Sequence, residues 1–184
     1  MRSTSLLAAL AVVTASALPA RAAEVVAAAP PPLSFDVAAD YLGSAGADGG
    51  ALSLGLRLQP YRHLAVSLDL GYGLLAASPG VDDRWWLIPS VAWVVPLGRL
   101  SLDLGAGVGV GTVSGYGSWS AYVAGPFDPV WHTTAPAARL HALLELPLTR
   151  RVALFARAEV AALLPDVAGT LWGGTWLGVQ VGLL

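Results

Sequence analysis

Ionisable side chains recur at odd-numbered positions in two segments near the C-terminal end of the chain. Arg139, His141 and Glu145 lie in one segment, and Arg157 and Glu159 lie in the other. A carboxylate near a histidine could exchange protons with a substrate, so an acid–base site is one interpretation. Ion pairing is the second interpretation, because charges in a closed space need partners. We favour ion pairs inside the fold, together with further charges of the same kind at Asp36, Asp40, Arg57, Asp69 and Asp103.

A histidine followed by two hydroxyl side chains, His132-Thr133-Thr134, is the one place that resembles a hydrolase constellation. Nucleophilic hydrolysis also requires a positioned nucleophile and a third group that orients the histidine. No serine sits at a matching place, and a third partner with a carboxylate is not evident nearby. The prediction is therefore that the protein is not an enzyme, with no catalytic, cofactor or metal site.

The glycine-rich segment GAGVGVG, residues 105–111, follows an apolar stretch and could suggest a phosphate-binding loop. A dinucleotide fingerprint needs G-x-G-x-x-G at the start of a helix, whereas these glycines occupy every second position. The period of two continues a β-strand instead. We predict that these glycines line an interior, where they leave room for large side chains from other strands.

Segments with a period of two are the elements that must position all these residues. In HLAVSLDLGYGLL, residues 63–75, leucine, valine and tyrosine alternate with small or acidic residues. Such alternation is typical of a β-strand with two different faces. Eight segments of this kind are predicted, at residues 33–42, 51–59, 63–74, 84–95, 100–112, 135–146, 152–162 and 171–184.

The composition indicates which face meets which environment. Hydrophobic residues make up 55% of the chain and charged residues only 12%, about half the usual charged fraction. In the regular segments the charges lie on the small-residue face and the leucine face carries none. A lipid-facing charge would cost several kcal/mol, so this segregation favours a membrane barrel. A soluble barrel with an apolar ligand is the alternative.

Other features of the composition exclude several classes of function. The net charge is −2 and the chain has no cysteine. Nucleic acid is therefore not an expected partner, and neither a disulfide nor a thiolate site is expected.

The connections between the predicted strands also alternate. Short links follow the second, fourth and sixth strands, and longer loops follow the others, the longest at about residues 113–134. This alternation is typical of outer-membrane barrels, whose short turns face the periplasm. Aromatic residues near the predicted strand ends form two expected membrane-interface girdles: Tyr41, Tyr61, Tyr72, Trp85, Trp93 and Trp172.

The N-terminal segment predicts export. Arg2 precedes an apolar run at residues 6–13, and small residues lead to Ala20-Arg21-Ala22. This pattern is typical of a signal peptide cleaved after Ala22. The predicted organisation is a signal peptide at residues 1–22, an Ala/Pro-rich lead-in at 23–32 and an outer-membrane β-barrel at 33–184.

On this strand pattern, loop alternation and signal peptide, the chain resembles the small eight-stranded outer-membrane β-barrels, the group of OmpX and the OmpA transmembrane domain. The resemblance covers Leu33 to Leu184 and implies an all-β, antiparallel up-and-down transmembrane barrel. It rests on no diagnostic peptide. One departure is the C-terminal residue, Leu184, where such barrels commonly end in Phe or Trp.

The function expected from the sequence is that of an integral outer-membrane protein with a structural or surface-interaction role. Aromatic residues of the longest loop form its predicted contact surface: Tyr116, Trp119, Tyr122, Phe127 and Trp131. Outer-membrane lipid and the outer-membrane assembly machinery are the expected partners, together with an unidentified extracellular ligand. A narrow porin-like channel and a lipid-modifying enzyme are the alternatives.

Overall fold

Eight β-strands follow one another in the computed structural model of the protein, which describes residues 32–44, 47–77, 80–116, 131–165 and 170–183. Their bounds are β1 Leu33–Ser44, β2 Ala47–Tyr61, β3 Leu64–Ala77, β4 Val81–Leu97, β5 Leu100–Tyr116, β6 Trp131–Pro147, β7 Val152–Leu163 and β8 Trp172–Gly182. In the described ranges, no helix has the length and apolar character needed to cross a membrane. The predicted signal peptide lies outside the described residues.

The strands form one closed sheet. Each strand pairs antiparallel with the next, and β8 pairs with β1. At this seam Ser34 lies opposite Gly182, and Gln180 donates a hydrogen bond from Nε2 to Ser34 Oγ at 2.8 Å. The predicted eight-stranded antiparallel up-and-down barrel is confirmed.

Side chains alternate between the inside and the outside of the barrel wall, because successive residues of a strand point to opposite faces. The outside carries exposed apolar side chains on every strand, for example Val37, Leu54, Leu68, Leu87, Leu104, Leu140, Leu154 and Leu177. The inside carries most of the buried charged side chains. This distribution is the reverse of that in a soluble protein and suits a hydrocarbon environment.

Most strands extend beyond the predicted segments at one end of the barrel, which we call the loop end. For example, β2 begins at Ala47 instead of residue 51. The predicted long connections after β1 and β3 therefore shrink to residues 45–46 and 78–80, while the connection at 117–130 remains long. Backbone pairing continues past the apolar band because its hydrogen bonds do not require apolar side chains.

The opposite end, which we call the turn end, has three tight connections. They are residues 62–63, 98–99 and 148–151. Gly98 has a φ of 70°, a conformation that glycine adopts without the steric cost of a Cβ. Thr149 Oγ1 accepts hydrogen bonds from the backbone N–H groups of Arg151 and Val152 at 3.1 and 3.0 Å. These local contacts help to fix the register of the hairpins.

Candidate functional site

Four buried side chains form a ring of ion pairs inside the barrel, which we call the central quartet: Asp69, Arg139, Arg157 and Glu159. Arg139 Nη2 lies 2.5 Å from Asp69 Oδ2, and Arg157 Nη1 lies 2.8 Å from Asp69 Oδ1. The two guanidiniums reach Glu159 Oε2 at 3.5 and 3.3 Å. With two positive and two negative groups, the quartet neutralises itself.

Side chains around the quartet hold its guanidiniums in place. Ser90 Oγ accepts a hydrogen bond from Arg139 Nη2 at 2.5 Å, and Ser53 Oγ accepts one from Arg157 Nη2 at 3.4 Å. Arg157 Cζ also lies 4.9 Å from the ring centroid of Trp176, within the range of a cation–π contact. The guanidiniums therefore have few conformations open to them.

A second cluster is centred on Arg57. Its Nη2 lies 2.6 Å from Asp103 Oδ2 and its Nη1 lies 2.7 Å from Glu145 Oε2. Glu145 and Arg139 share one face of β6, yet they belong to different clusters. The ion-pair interpretation of these charges therefore has direct geometric support, whereas no acid–base pair with His141 is formed among the described residues.

Two other carboxylates predicted for the interior, Asp36 and Asp40, have no ion pair in the part of the chain that the structure describes. Asp36 is only 7% exposed, and its Oδ1 has no hydrogen-bond partner there. The described residues contain no group of three or more His, Asp or Glu side chains placed to hold a metal ion. With all acids ionised, the lumen has an excess of negative charge.

Glycines provide the room for these side chains. A Cβ at Gly55 would collide with the carboxylate of Asp36, and one at Gly105 would collide with the ring of His141. Gly107 likewise faces Ser90. The prediction that the inward glycines make space for larger side chains is confirmed at these positions.

Three tryptophans pack together inside the barrel toward the loop end, and we call them the tryptophan plug: Trp86, Trp172 and Trp176. The ring centroids of Trp86 and Trp172 are 6.1 Å apart, and those of Trp86 and Trp176 are 5.9 Å apart. Arg84 Cζ lies 5.4 Å from the Trp172 ring centroid. Aromatic packing of this kind excludes water from the upper lumen.

The placement of Trp172 in the membrane-interface girdle is therefore wrong. Trp172 is 2% exposed, because it shares the inward face of β8 with Trp176 and Gln180. The other five predicted girdle residues are exposed: Tyr41, Tyr61, Tyr72, Trp85 and Trp93.

A small cavity lies beside the central quartet. A cavity of about 20 Å³ lies among Asp36, Asp69, His141 and their neighbours. That volume accommodates about one water molecule. Side chains thus fill the described interior, as an eight-stranded barrel allows.

A separate polar cluster lies on the outer face of the wall at the loop end, and we call it the outer patch: Ser114, His132, Thr134 and Thr112. Ser114 lies opposite His132 in the pairing of β5 with β6, and its Oγ is 3.0 Å from His132 Nδ1. His132 Nε2 lies 3.2 Å from Thr134 Oγ1, which is 2.9 Å from Thr112 Oγ1. With His132 Nδ1 as acceptor, Ser114 donates to the ring and Nε2–H donates to Thr134.

The patch lies at the upper border of the apolar band. Ser114 is separated from the exposed Leu104 and Val108 by an even number of positions along β5, so it lies on the same outward face. Asp103, at an odd-numbered position, lies on the inward face. The apolar outward run of β5 ends at Val110, and Ser114 lies beyond it. Ser114 and Thr112 are buried, at 5% and 1% exposure, whereas His132 and Thr134 are exposed.

Sequence reasoning missed Ser114. We expected no serine to match His132, because residues 113–134 were assigned to a loop. Pairing of β5 with β6 is what brings the two side chains together. The sequence did contain the necessary information. Consecutive strands of an up-and-down barrel are neighbours, so continuing the register of β5 and β6 beyond the apolar band places Ser114 opposite His132.

The predicted contact surface of the long loop is only partly described. Tyr116 ends β5 and is buried, so it is not the exposed loop anchor that we expected. Trp131 begins β6 and is exposed. Trp119, Tyr122 and Phe127 lie outside the described residues.

Comparison with known proteins shows the fold. No protein-family model and no curated protein sequence matches the chain. Neisserial surface protein A is similar in structure, with a TM-score of 0.65 and 15% identity over 82% of this chain and 96% of that one. Ail of Yersinia pestis, in complex with the heparin analogue sucrose octasulfate, has a TM-score of 0.53 and 15% identity over 81% and 95% of the two chains.

A third similar structure is that of the outer membrane enzyme PagL, with a TM-score of 0.50 and 16% identity over 80% of this chain and 98% of that one. The fold and the interior of this chain thus define a class of protein, the closed membrane-type β-barrel with a charged lumen. The chain has the fold of the small eight-stranded outer-membrane β-barrels, and the predicted resemblance is confirmed at that level.

Proposed function

We propose that the protein is an integral outer-membrane protein with a structural or surface-interaction role, exported by the signal peptide predicted at residues 1–22. The observation that carries this proposal is the inverted distribution of side chains: apolar residues cover the outside of the barrel, and ion-paired charges lie inside it. An apolar outer surface is stable only against hydrocarbon. The fold of outer-membrane proteins supports the same conclusion.

A filled lumen argues against the channel alternative. The central quartet and the tryptophan plug occupy successive levels of the interior. The cavity of about 20 Å³ beside the quartet has room for about one water molecule, so the lumen is narrow at this level. Solute transport through the barrel would require these buried ion pairs to separate.

Reconstitution tests this proposal. We expect the unboiled protein to migrate as a compact band and to shift on boiling, because a folded barrel resists denaturation by detergent. In planar bilayers we expect no stepwise conductance, since the lumen is packed. Stable unitary conductance steps would support the channel instead, and recovery as a detergent-free soluble protein would contradict membrane insertion. An empty-vesicle preparation is the control.

Surface interaction is supported by the chemistry of the loop end. Asp48 and Trp131 are exposed there, and Asp82 and Asp83 are partly exposed. Ail binds an anionic ligand, a heparin analogue, in its complex. The acidic loop end of this chain is unsuited to a polyanion, so a neutral or cationic ligand is the better match.

The outer patch favours a second candidate function, hydrolysis of acyl esters in lipids of the outer leaflet. Ser114 is only 5% exposed, so this function requires its side chain to become accessible to lipid. In the proposed step, Ser114 Oγ then attacks the ester carbonyl while His132 Nδ1 takes the hydroxyl proton. The proton then goes to the leaving alcohol, and water releases the fatty acid from the acyl-serine. Thr134 would orient the imidazole through Nε2, in place of the usual carboxylate. That an outer membrane enzyme shares this fold supports the idea.

Variants of Ser114 and His132 test the second candidate. If the patch is catalytic, wild-type protein in lipid vesicles releases fatty acid and reacts covalently with a fluorophosphonate. Ser114→Ala and His132→Ala should each lose at least about 99% of both signals, since nucleophile and base act as a unit. Ser101→Ala, a serine near the turn end, is the matched control and should keep full activity. A wild-type protein without either signal would eliminate this candidate.

A further inference from the structure

The arginines outside the barrel interior are distributed unevenly. Four exposed arginines lie in the three connections of the turn end: Arg62, Arg99, Arg150 and Arg151. No aspartate or glutamate occurs in residues 59–64, 96–100 or 147–152. The three connections of the turn end are therefore basic, whereas the loop end carries Asp48, Asp82 and Asp83. We call these four arginines the basic rim.

The basic rim has no partner within the described part of the protein. All six ion pairs there involve the lumen arginines, and none involves a guanidinium of the rim. The contacts at Arg62 and Arg151 use backbone atoms only. Four unpaired positive charges on one end of a molecule call for an anionic partner.

Apolar side chains lie beside the rim. Tyr61 is 71% exposed, and Leu97 and Leu148 are also exposed. Trp93 is exposed and stacks on His63, with ring centroids 5.7 Å apart. Aromatic and aliphatic side chains next to arginines are typical of a membrane–water interface, where the arginine stem stays in apolar surroundings and its head reaches the headgroups.

The spacing of the three turns favours many small ligands over one large ligand. The turns join β2 to β3, β4 to β5 and β6 to β7, so they lie two strands apart around the barrel. Two strands span about 10 Å, which is close to the spacing of neighbouring lipids. A ring of separate guanidiniums suits a ring of separate phosphates, each bound through paired N–H donors.

We propose that the basic rim binds the headgroups of anionic phospholipids in the periplasmic leaflet around the barrel. This inference rests on the proposed function, because it requires the turn end to face the periplasm. It adds a partner at the end of the molecule opposite to the loops. The rim also opposes inversion of the barrel, since its charges stay at one membrane surface.

Lipid retention tests the inference with the full chain. The protein is placed in nanodiscs of equal phosphatidylglycerol and phosphatidylethanolamine, and retained lipids are counted by native mass spectrometry. We expect wild type to retain phosphatidylglycerol preferentially. The variant R62Q/R99Q/R150Q/R151Q should bind phosphatidylglycerol about fivefold more weakly at each of its sites, because each arginine near a membrane surface contributes about fivefold. The matched variant R62K/R99K/R150K/R151K keeps the charge and should keep most of the preference.

The outcomes separate the inference from the proposed function. A boiling-dependent gel shift without any preference for phosphatidylglycerol would overturn the lipid site and leave the membrane barrel intact. The lipid site would also be overturned if the glutamine variant bound phosphatidylglycerol as tightly as wild type does. The same conclusion would follow if wild type, tested separately with purified peptidoglycan sacculi, bound the sacculi and not the lipid. Absence of the gel shift in wild type would contradict both the proposed membrane barrel and the lipid site. If the fourfold variant does not fold, R99Q and R150Q/R151Q should each weaken binding by about fivefold or more.

Discussion

Asp69→Asn is expected to lower the free energy of unfolding by about 3–5 kcal/mol, the range observed when one partner of a buried ion pair is removed. Asp69 contacts both guanidiniums of the central quartet, and the amide that replaces it keeps the shape but loses the charge. Glu159 alone would then face Arg139 and Arg157. Urea titration of the protein in lipid vesicles, followed by tryptophan fluorescence, measures the loss.

Asp36→Asn is the matched control for this experiment. It removes the same charge from the same lumen, but Asp36 has no ion pair among the described residues and its Oδ1 has no hydrogen-bond partner. Removing an uncompensated buried charge should leave stability unchanged or raise it. Equal losses for the two variants would contradict the assignment of the quartet as the stabilising group.

Leu140→Arg is expected to destabilise the barrel by about 2–4 kcal/mol, the cost of an arginine at the middle of a bilayer. Leu140 lies near the centre of β6 and is 66% exposed. In a soluble protein, an arginine at such an exposed position would be almost neutral. The effect therefore reports directly on the environment of the outer wall and is measured by the same urea titration.

Leu148→Arg provides the comparison at the membrane surface. Leu148 is also exposed but lies in a connection of the turn end. An arginine near the interface costs only about 0–1 kcal/mol. If both variants lose the same small amount of stability, the leucine face does not contact hydrocarbon and the soluble-barrel alternative gains support.

The strand count and the orientation of the faces were predictable because hydrocarbon enforces both. A charge on the lipid side is so costly that Asp69, Arg139 and Arg157 had to share the small-residue face of their strands. Each of these side chains is buried in the lumen. The cost of placing a charge against lipid applies at every outward position, and it therefore produces a clear period of two in the sequence of each strand.

The features that escaped prediction depend on contacts between strands or lie beyond the apolar band. Above Val110 the alternation of apolar and polar residues stops, so Ser114 and His132 appeared to belong to a loop. Trp172 is a different case: its residue type and position suggested the membrane interface, although its position four residues before Trp176 in the same strand already assigns both to one face. Which arginine meets which carboxylate depends on side chains from different strands, information that a single sequence does not display.

The seam between β1 and β8 has a consequence for how the chain acquires its structure. Leu33 lies in the first strand, yet its carbonyl accepts a hydrogen bond from the N–H of Leu183 at 2.9 Å. Closing so long a loop has a large entropic cost, and non-local pairing of this kind slows folding. Until the ring closes, the first and last strands are open edges that can pair with other chains. Assembly therefore depends on keeping the two edges apart from foreign strands until they meet each other.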